Sequence, residues 1–513
     1  MTQRSLPDTI PGYGRVAPFS GIVPPPAWVA RAGQRIVPHV HGRDKLLDTL
    51  EAAFIACQIS DGATLSFHHH LRNGDQVLNQ VMAIAARRGL RNLKLAASSI
   101  FPVHAPLVDH IRSGVVTGLT TSYVSGPVAE VISRGALATP VVMTTHGGRA
   151  RAIESGELHI DVAFVAAPAA DGQGNLSGAE GRAACGPLGY AMVDACHADR
   201  VVAVTDQLLS HAPGIVDIPQ DRIDFVVKVD SIGDPEGILS GTTRPTKDPL
   251  GLRIASLAGE VIAASGLLRD GFSMQTGAGG VSIATSMFVK EQMRRRGVQG
   301  SFGAGGVTGA LVEMLEQGLF RNIFDVQCFD LRAVESYRED PRHLAMSASM
   351  YANPHSRGPL VDQLDAMLLG AAEVDLDFNV NVTTGSDGFI LGGSGGHADT
   401  AAGARLALVT TRLSSPAGPK IVGRVGCLST PGETVDAVVT EAGVAVNPRR
   451  EDLRERLAAV GIGLKSIQEL RAHAESLVSA PASRTNRDED ARVVAVVEYR
   501  DGRVTDVIRQ VSR

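Results

Sequence analysis

The segment GSDGFILGGSGGHADT, residues 385–400, joins a short apolar run to the glycine-rich run GGSGG and a polar segment. Ile390 and Leu391 lead into the glycines, and His397 and Asp399 precede the Ala-rich segment 400–409. This pattern predicts a strand, a glycine-rich turn and then a helix. Such a turn exposes backbone N–H groups at the positive end of a helix dipole, where a phosphate or a developing oxyanion can bind. A tight connection without any ligand produces the same pattern.

Two further glycine-rich segments follow the same scheme. QTGAGG at 275–280 follows a predicted strand at 271–274 and precedes a helix that begins near Val281. SFGAGG at 301–306 is predicted as a third turn, ahead of a helix around 311–317. In an open α/β sheet the loops after the strands gather at one edge, where ligands bind. The three segments therefore predict one cleft lined by backbone donors.

Composition restricts the class of protein. The 513 residues exceed one ordinary core, so two or more domains are expected. A net charge of −5 without any Lys/Arg-rich run argues against nucleic acid as a partner. No apolar run of 18 residues and no signal peptide is present, so no membrane association is expected. The odd set of widely spaced cysteines indicates reduced thiols in a cytoplasm; they are Cys57, Cys185, Cys196, Cys328 and Cys427.

Apolar strands alternate with amphipathic helices along most of the chain. Helices are predicted at 46–56 and 75–88, and strands at 63–67 and 93–97. This alternation is typical of the α/β class, with mainly parallel sheets flanked by helices. At the C-terminus, VVAVVEYRDGRVTDVIRQV predicts a β-hairpin with an Asp-Gly turn at 501–502.

The chain also contains an internal repeat. Segment 107–115 resembles 311–319, and segment 160–163 resembles 364–367, both at an offset of 204 residues. Asn175 and Asn379 keep this offset. A constant shift that aligns helix ends, strands and turns predicts two similar domains in tandem. We expect an irregular Pro-rich arm at 1–41, a first domain at 42–248 and a second domain at 249–513.

A histidine triplet, His68 to His70, stands in the first domain at the place of the QTGAGG segment. Zinc binding is one interpretation, although adjacent residues of an extended segment point to opposite faces. Structural packing of one or two of these histidines is an equally good one. Arg72, Arg149 and Arg151 could each bind a carboxylate in bidentate fashion. Each could also be a solvated surface residue, and for Arg151 we favour that interpretation.

Longer segments of the sequence resemble one family, the alpha chains of citrate lyase, which are its citrate CoA-transferase subunits. The resemblance runs from about residue 42 to the C-terminus and is carried by SFHHHLRNGD, ASSIFPVHAPLVDHIRSGVVT, THGGRARAIESGELHIDVAF, GFSMQTGAGG, DVQCFD, NVNVTTGSDG, LGGSGGHADTA and TPGETVD…GVAVNPRR. It implies two tandem CoA-transferase domains that exchange acetyl for citryl on a CoA-type thioester, from acetyl-CoA or an acetyl carrier. It also implies a complex with a beta (lyase) chain and a gamma (acyl-carrier) chain that bears a CoA-derived prosthetic group, a homo-oligomer, and no cofactor or metal bound by this chain itself.

The second domain also resembles the wider acetate/4-hydroxybutyrate CoA-transferases, which carry QxGxGG, a nucleophilic glutamate and GxGGxxD. QTGAGG and GSGGHAD are present here, but 300–306 contains no carboxylate. This departure predicts that a citrate carboxylate attacks the thioester directly. The acidic residue nearest to the glycine turn, Glu373, is interpreted as a structural carboxylate that binds a neighbouring loop. No His–acid pair marks Ser301 as an activated nucleophile.

The resemblance and the glycine pattern together give a set of candidate site residues. Those predicted to be catalytic are Gly393, Gly395, Gly396 and Asp399. Those predicted to bind CoA or the thioester are Gln275, Gly277, Gly279, Gly280, Gly303, Gly305 and Gly306. His69 and Arg72 are predicted to contact the substrate, for which citrate and citramalate both remain open. A sugar-phosphate isomerase or a metabolite-sensing domain, which share this type of sheet, is the alternative from a different class.

Overall fold

The computed structural model describes residues 4–33, 36–239, 244–478 and 489–511. Within these ranges the chain forms two large, mainly parallel sheets flanked by helices, so the predicted α/β class is confirmed. No helix among the described residues combines the length and the apolar character needed to cross a membrane.

The first sheet has ten strands in the described ranges, and all neighbours are parallel except one outer pair. Central strands such as Val162–Ala167 are buried along nearly their whole length, because helices cover both faces of a parallel sheet. From edge to edge the strands are Val504–Arg509, Val493–Glu498, Val141–Met143, Val116–Thr121, Leu93–Ala97, Thr64–Phe67, Val162–Ala167, Arg200–Thr205, Phe225–Lys228 and Leu46–Leu47.

The second sheet has eight strands in the described ranges and again ends in one antiparallel pair. From edge to edge its strands are His343–Ala345, Phe320–Cys328, Gly300–Val307, Ser273–Thr276, Ala366–Gly370, Ala407–Thr410, Ala437–Thr440 and Gly443–Val446. The seven strands from Val141–Met143 to Phe225–Lys228 in the first sheet follow the same chain order as those from His343–Ala345 to Ala437–Thr440. The predicted internal repeat is therefore confirmed in the topology.

One turn shows the repeat in atomic detail. In the first domain Asp171 Oδ1 accepts hydrogen bonds from the backbone N–H groups of Gln173 and Asn175, both at 2.9 Å. In the second domain Asp375 Oδ1 accepts from Asp377 and Asn379, both at 3.0 Å. The same side chain thus closes the same turn 204 residues later.

Helices cover both sheets, and a few short strands and 3₁₀ turns connect them. The helices are Leu50–Ala56, Val77–Arg87, Leu107–Arg112, Pro127–Ser133, His146–Ser155, Gly189–His197, Pro249–Ala264, Gly280–Arg296, Gly309–Glu316, Leu331–Glu339, Ala348–Ala352, His397–Gly403, Glu451–Ala459 and Ile467–Ser476. The short strands are Thr9–Ile10, Gly14–Arg15, Ala169–Asp171, Leu176–Ser177, Leu208–Leu209, Glu373–Val374, Val380–Asn381, Ser414–Ser415 and Gly418–Pro419. The 3₁₀ turns are Arg72–Gly74, Pro102–His104, Gln220–Arg222, Pro235–Ile238, Leu360–Gln363 and Gly432–Thr434.

The prediction that the glycine-rich segment 301–306 forms a turn is wrong. It lies inside the strand Gly300–Val307, which pairs on both sides within the second sheet. A glycine is needed there because distant side chains press on the strand: a Cβ on Gly306 would lie 2.1 Å from Phe329 Cζ, and one on Gly305 would lie 2.3 Å from Gln275 Cδ. Close approach of side chains, rather than a turn, explains the composition.

Two other predictions differ in their bounds. The helix predicted at 46–56 is divided into the edge strand Leu46–Leu47 and the helix Leu50–Ala56, because Thr49 caps the helix by accepting from Ala52 N at 3.1 Å. The helix after the GGSGG run ends at Gly403, and the strand Ala407–Thr410 follows it. Before the run, Ile390 forms only an isolated bridge with Thr384 instead of a strand.

The C-terminal hairpin is confirmed, and its strands Val493–Glu498 and Val504–Arg509 lie in the first sheet. Val493–Glu498 pairs in parallel with Val141–Met143, so the chain returns to the first sheet after completing the second. The division of the chain near residue 248 stays a prediction.

Candidate functional site

A cleft of about 480 Å³ lies between the two large sheets. It is lined by segments that follow the carboxyl ends of parallel strands in both sheets, where α/β folds bind ligands. The lining residues are His69, Arg72, Ser99, Phe101, Tyr123, His146, Tyr190, Gln275, Thr276, Gly277, Ala278, Gly279, Gly306, Val326, Gln327, Phe329, Tyr351, Met367, Leu369, Gly370, Ala371, Ala372, Val382, Leu391, Gly392, Gly393, Ser394, Gly395, Gly396 and His397.

Arg72 supplies positive charge to this cleft. Its backbone has a φ of +51°, a left-handed conformation that is uncommon for a residue with a side chain. The guanidinium carbon lies 5.0 Å from the centre of the Phe101 ring and 4.9 Å from that of Phe329. Burial lowers the pKa of Arg72 to about 10, so the side chain stays charged at neutral pH. The structure thus places the predicted substrate contact in the cleft, with Phe329 of the second domain against it.

The histidine triplet divides into different environments. His69 lines the cleft, whereas His68 Nε2 lies 3.1 Å from a carboxylate oxygen of Asp194 in the interior. His70 is buried, and neither of its ring nitrogens has a hydrogen-bond partner among the described residues. The structure therefore supports structural packing for two of the three histidines.

Two of the arginines proposed as carboxylate ligands already form ion pairs with carboxylates of the protein itself. Arg149 forms a bidentate ion pair with Asp194, with N···O distances of 2.9 and 2.7 Å. The expectation that Arg151 is a solvated surface residue is wrong. Its side chain is only 4% exposed and pairs with Glu157 at 2.6 and 2.8 Å, because the C-terminal hairpin covers it.

Sequence reasoning did not select His146 and Tyr190, which complete an aromatic cluster with His69. The Tyr190 ring lies 4.7 Å from that of His69 and 4.6 Å from that of His146, centre to centre. Burial, followed by the charges of Arg149 and Arg72, lowers the pKa of His146 to about 3, so this ring is neutral. His146 stands in the quoted segment THGGRARAIESG, but nothing local distinguishes it from a helix-start residue; Tyr190 carries no sequence signal at all.

The QTGAGG segment forms part of the second-domain wall. Gln275, Gly277 and Gly279 line the cleft, and Gln275 Nε2 donates to Tyr351 Oη at 2.7 Å. Gly277 N donates to Leu368 O at 2.8 Å, so that N–H is occupied. Gly280, the first residue of the helix Gly280–Arg296, accepts from Thr246 N and is not in the lining.

The GGSGG turn also lines the cleft, and backbone hydrogen bonds hold it to the first domain. Gly395 N donates to Ser122 O at 3.0 Å, and His146 N donates to Gly395 O at 2.8 Å. The N–H of Gly395 therefore already has a partner, and a catalytic role for Gly395 stays a prediction. The N–H groups of Gly393, Ser394 and Gly396 have no partner among the described residues and remain as donors.

Asp399 does not line the cleft. Its Oδ2 accepts from Gly147 N at 2.9 Å and its Oδ1 from Thr145 Oγ1 at 2.8 Å, both in the first domain. Burial raises the pKa of Asp399 to about 6, against the opposing charge of Arg500. The carboxylate therefore positions the segment that carries His146 and holds the two domains together at the turn.

The remaining predicted site residues lie in the strand Gly300–Val307, and only one of them reaches the cleft. Gly306 lines the cleft, whereas Gly303 and Gly305 do not. Ser301 Oγ donates to Gly271 O at 2.7 Å. A role for Gly303 and Gly305 in binding CoA stays a prediction without a contact to the cleft.

None of the described lining residues is an aspartate or a glutamate. Glu373 lies outside this lining, and its Oε2 accepts from Gly426 N at 2.7 Å and from Asn381 Nδ2 at 3.0 Å. The interpretation of Glu373 as a structural carboxylate is confirmed. A nucleophilic carboxylate is thus missing from the described lining.

Three possible metal ligands lie close together behind the cleft: Asp325, Cys328 and His343. They already bind one another, since Asp325 Oδ2 lies 3.1 Å from Cys328 Sγ and 3.2 Å from His343 Nε2. Burial, together with Asp325, holds the pKa of Cys328 well above its usual range, so the thiol stays protonated. This arrangement is satisfied as a hydrogen-bonded cluster.

Comparison with known proteins gives consistent matches over nearly the whole chain. The family model described as citrate lyase, alpha subunit (CitF), matches residues 43–511. A citrate lyase alpha chain from Escherichia coli (strain K12) is 48% identical over 468 residues, 91% of this chain and 91% of that protein. One from Klebsiella pneumoniae is 44% identical over 497 residues, 97% of this chain and 96% of that protein.

Solved structures agree with these matches. A Streptococcus mutans protein described as an alpha subunit of citrate lyase in complex with citrate has a TM-score of 0.92 and 44% identity, over 96% of both chains. A Pseudomonas malonate decarboxylase hetero-tetramer in complex with malonate matches with a TM-score of 0.64 and 20% identity, over 86% of this chain and 88% of that one. At this identity the second match shows a shared fold alone.

Proposed function

Because this chain belongs to the family of citrate lyase alpha subunits, we propose that the cleft between its domains is where citrate and a CoA-type thioester exchange acyl groups. The family is the citrate CoA-transferase component of citrate lyase, and this chain is accordingly a transferase that exchanges acetyl for citryl on a thioester. A metabolite sensor or a sugar-phosphate isomerase is set aside by these matches.

The observation that carries the location is the make-up of the cleft. It holds the buried guanidinium of Arg72, and its described lining contains no carboxylate. The backbone N–H groups of Gly393, Ser394 and Gly396 have no partner among the described residues. Such a lining attracts a polyanion such as citrate and stabilises negative charge that develops on an acyl oxygen. Its volume of about 480 Å³ is within the usual range for small-molecule sites.

We assign citrate to the side of the cleft that holds Arg72. The Streptococcus mutans relative was solved with citrate, which supports citrate as the ligand here as well. Arg72 can pair with a citrate carboxylate in bidentate fashion, and Phe101 and Phe329 limit the freedom of its guanidinium. The thioester then lies toward the GGSGG and QTGAGG segments, where Gly279, Gly393 and Gly396 face the cleft.

The exchange proceeds by two attacks without an enzyme nucleophile. A citrate carboxylate oxygen attacks the acetyl carbonyl carbon, the C–S bond breaks, and a thiolate and a mixed citric–acetic anhydride form. The thiolate then attacks the citryl carbonyl carbon of the anhydride, and acetate leaves with the bridging oxygen. Each attack places negative charge on a carbonyl oxygen, which the N–H groups of Gly393, Ser394 and Gly396 can stabilise. Holding both reactants in one cleft supplies the orientation that the two attacks require.

Membership of the family supports a proposal about the thioester donor and the assembly. We propose that the physiological donor is an acetyl group on the CoA-derived prosthetic group of a gamma (acyl-carrier) chain. Copies of this chain would assemble with that carrier and with a beta (lyase) chain that cleaves the citryl thioester. All five cysteines are free thiols, which fits the reducing cytoplasm.

Incubating the purified chain with citrate and acetyl-CoA, followed by mass spectrometry of the thioesters, tests the function. We expect citryl-CoA and acetate in equal amounts. Replacing Arg72 by Gln should raise the KM for citrate by about 10-fold or more, since one charge-assisted hydrogen bond contributes about 1.5–3 kcal/mol. Arg88, which lies over Phe54 far from the cleft, provides the matched control Arg88→Gln with an unchanged KM. Binding of citrate without any citryl-CoA, with every donor tried, would contradict the proposed function.

A further inference from the structure

His69 makes two contacts with one hydroxyl group. Its backbone N–H donates to Ser98 Oγ at 3.1 Å, and its ring Nδ1 lies 2.6 Å from the same oxygen. Both residues follow adjacent parallel strands, Thr64–Phe67 and Leu93–Ala97, at the edge where the cleft opens. The hydroxyl proton of Ser98 therefore decides which ring nitrogen of His69 carries hydrogen.

The donors and acceptors around Ser98 Oγ determine where its hydroxyl proton points. A serine hydroxyl has one hydrogen to donate and two lone pairs that accept. The backbone N–H of His69 uses one lone pair of Ser98 Oγ, and the hydroxyl finds no acceptor among the described residues other than His69 Nδ1. Ser98 thus donates to Nδ1, and the ring proton of His69 lies on Nε2.

The ring is also neutral. Burial lowers the pKa of His69 well below its ordinary value, and the nearby His146, Arg72, His70 and His68 lower it further. A protonated ring would carry a hydrogen on Nδ1 as well, which would displace the Ser98 hydroxyl hydrogen from the short contact. His69 accordingly has no lone pair facing the cleft and cannot act there as a base.

The second domain fixes the same residue from the other side. Gln327 Nε2 donates to the backbone oxygen of His69 at 2.5 Å, and Tyr190 stacks on the ring with 4.7 Å between centres. The His69 ring lines the cleft, whereas both ring nitrogens of His70 are buried without a partner among the described residues. An N–H group held in this way before substrate binds is typical of an oxyanion donor.

We propose, building on the function proposed above, that His69 donates its Nε2–H to the acyl oxygen of the thioester as that oxygen becomes negative. Ser98 is the positioning residue that holds the ring in the Nε2–H tautomer. The donor that Gly395 cannot supply is thereby provided by a side chain of the first domain. This role makes both domains necessary for chemistry as well as for binding.

Side-chain replacements at His69 test the donor. Phe preserves the stacking on Tyr190 without an N–H, and we expect kcat to fall by at least about 100-fold, the usual effect of losing one oxyanion donor. Gln places an amide N–H near the Nε2 position and should restore a substantial part of that loss. The matched control is His70→Phe, a buried neighbour outside the cleft, which should keep wild-type kcat. A His69→Phe enzyme with wild-type kcat would overturn the proposal.

The tautomer is tested by long-range ¹H–¹⁵N NMR of the full chain labelled at histidine, with the His69 signals identified by their loss in His69→Gln. We expect the Nε2–H pattern, unchanged between pH 6 and 8. In Ser98→Ala the pattern should shift toward a mixture of tautomers, and kcat should fall while the KM for citrate stays unchanged. Ser98→Thr should restore the Nε2–H pattern and the wild-type kcat. An Nδ1–H pattern, or a ring that titrates in this range, would contradict the proposal.

The proposed function and the role of His69 can be disproved separately. A wild-type chain that makes no citryl thioester defeats the proposed function itself. A wild-type chain that turns over while His69→Phe turns over equally well defeats only the role of His69.

Discussion

The runs GSFGAGG and GGSGG are nearly alike in composition, yet their glycines have different structural roles. The first lies in the strand Gly300–Val307, where glycine makes room for the side chains of Gln275 and Phe329. The second forms a turn across the domain interface, where Gly395 binds Ser122 and His146 through its backbone. Glycine in the strand serves packing, whereas glycine in the turn serves the approach of one backbone to another and of a ligand to free N–H groups.

This difference has a consequence for mutations. A side chain added in the strand meets other side chains, which can move by changing rotamer. In the turn, a side chain added at Gly393 meets backbone atoms of Ser122 and Tyr123, which cannot move without displacing the cleft wall. Effects on catalysis should therefore be concentrated in the turn, and effects on stability in the strand.

The largest effect is expected for Gly393→Ala. Its Cβ would lie 2.3 Å from Ser122 O and 2.9 Å from Tyr123 Cα, so the turn must shift and its free N–H groups with it. We predict a fall in kcat of at least about 100-fold, as for the loss of an oxyanion donor. Gly172→Ala, where the added Cβ meets nothing within 4 Å, is the matched control. A folded Gly393→Ala enzyme with full activity would show that the turn is only a connection.

A second, smaller effect concerns the carboxylate that holds the turn to the first domain. In Asp399→Asn, one of the two donors, Gly147 N–H or Thr145 O–H, must face an amide NH₂ group. A buried donor without a partner costs about 1–3 kcal/mol, so we predict a roughly 10-fold fall in kcat. Normal activity of this variant would mean that the contact does not position His146.

The pH dependence of the same group gives an independent measurement. The pKa of Asp399 is raised to about 6, so wild-type kcat should fall as the pH drops through 6, and the slope should vanish in Asp399→Asn. In this window the folded state binds a proton that the unfolded state lacks. This carboxyl therefore favours folding as the pH falls, and the loss of activity is not unfolding caused by this group. Arg500 lies 3.9 Å from Asp399 Oδ1 and lowers the pKa of this carboxyl, whereas Asp362 raises it, so Arg500→Gln should move the fall in kcat to higher pH.

In the strand, Gly306→Ala should act mainly on stability. Its Cβ would overlap the Phe329 ring at 2.1 Å, and overpacking of this kind costs about 1–3 kcal/mol. Because Phe329 also flanks Arg72, the KM for citrate should rise while kcat changes little. Urea denaturation and steady-state kinetics measure the two effects. A loss of kcat as large as that of Gly393→Ala would show that glycines of the strand and of the turn do not differ in their effect on catalysis.

The smallest effect is expected for Gly303→Ala. The added Cβ would lie 3.4 Å from Leu311 Cδ2, an ordinary contact, and Gly303 does not line the cleft. Its stability should stay within about 1 kcal/mol of wild type, and its KM for acetyl-CoA should be unchanged. A raised KM for acetyl-CoA would restore the role in thioester binding that the sequence predicts.

These outcomes show which features the sequence can predict. The α/β class, the repeat at an offset of 204 residues and the C-terminal hairpin depend on local periodicity, and the sequence predicts them. The structural role of Glu373 is also predicted; its partners are Asn381, in the short strand that pairs with its own, and Gly426, 53 residues further along the chain.

Features decided by distant partners could not be predicted in this way. The strand at 300–307 needs glycine because of Phe329 and Gln275, and no local pattern separates that need from a turn. Gly395 loses its free N–H to Ser122, far away in the other domain. Arg151 is buried because the C-terminal hairpin returns to the first sheet and brings Gly502 against it. His146 and Tyr190 join the site only through the packing of separate strands and helices.

The central claim is that citrate attacks the thioester directly, in a cleft whose described lining offers no carboxylate. Single-turnover exchange with enzyme in excess, unlabelled acetyl-CoA and citrate labelled with ¹⁸O in its carboxylates tests this claim most directly. Direct attack predicts that each acetate released in the first turnover carries one ¹⁸O atom, which passes through the bridging position of the mixed anhydride. Unlabelled acetate in the first turnover, with ¹⁸O or CoA recovered on an aspartate or glutamate of the chain, would contradict it.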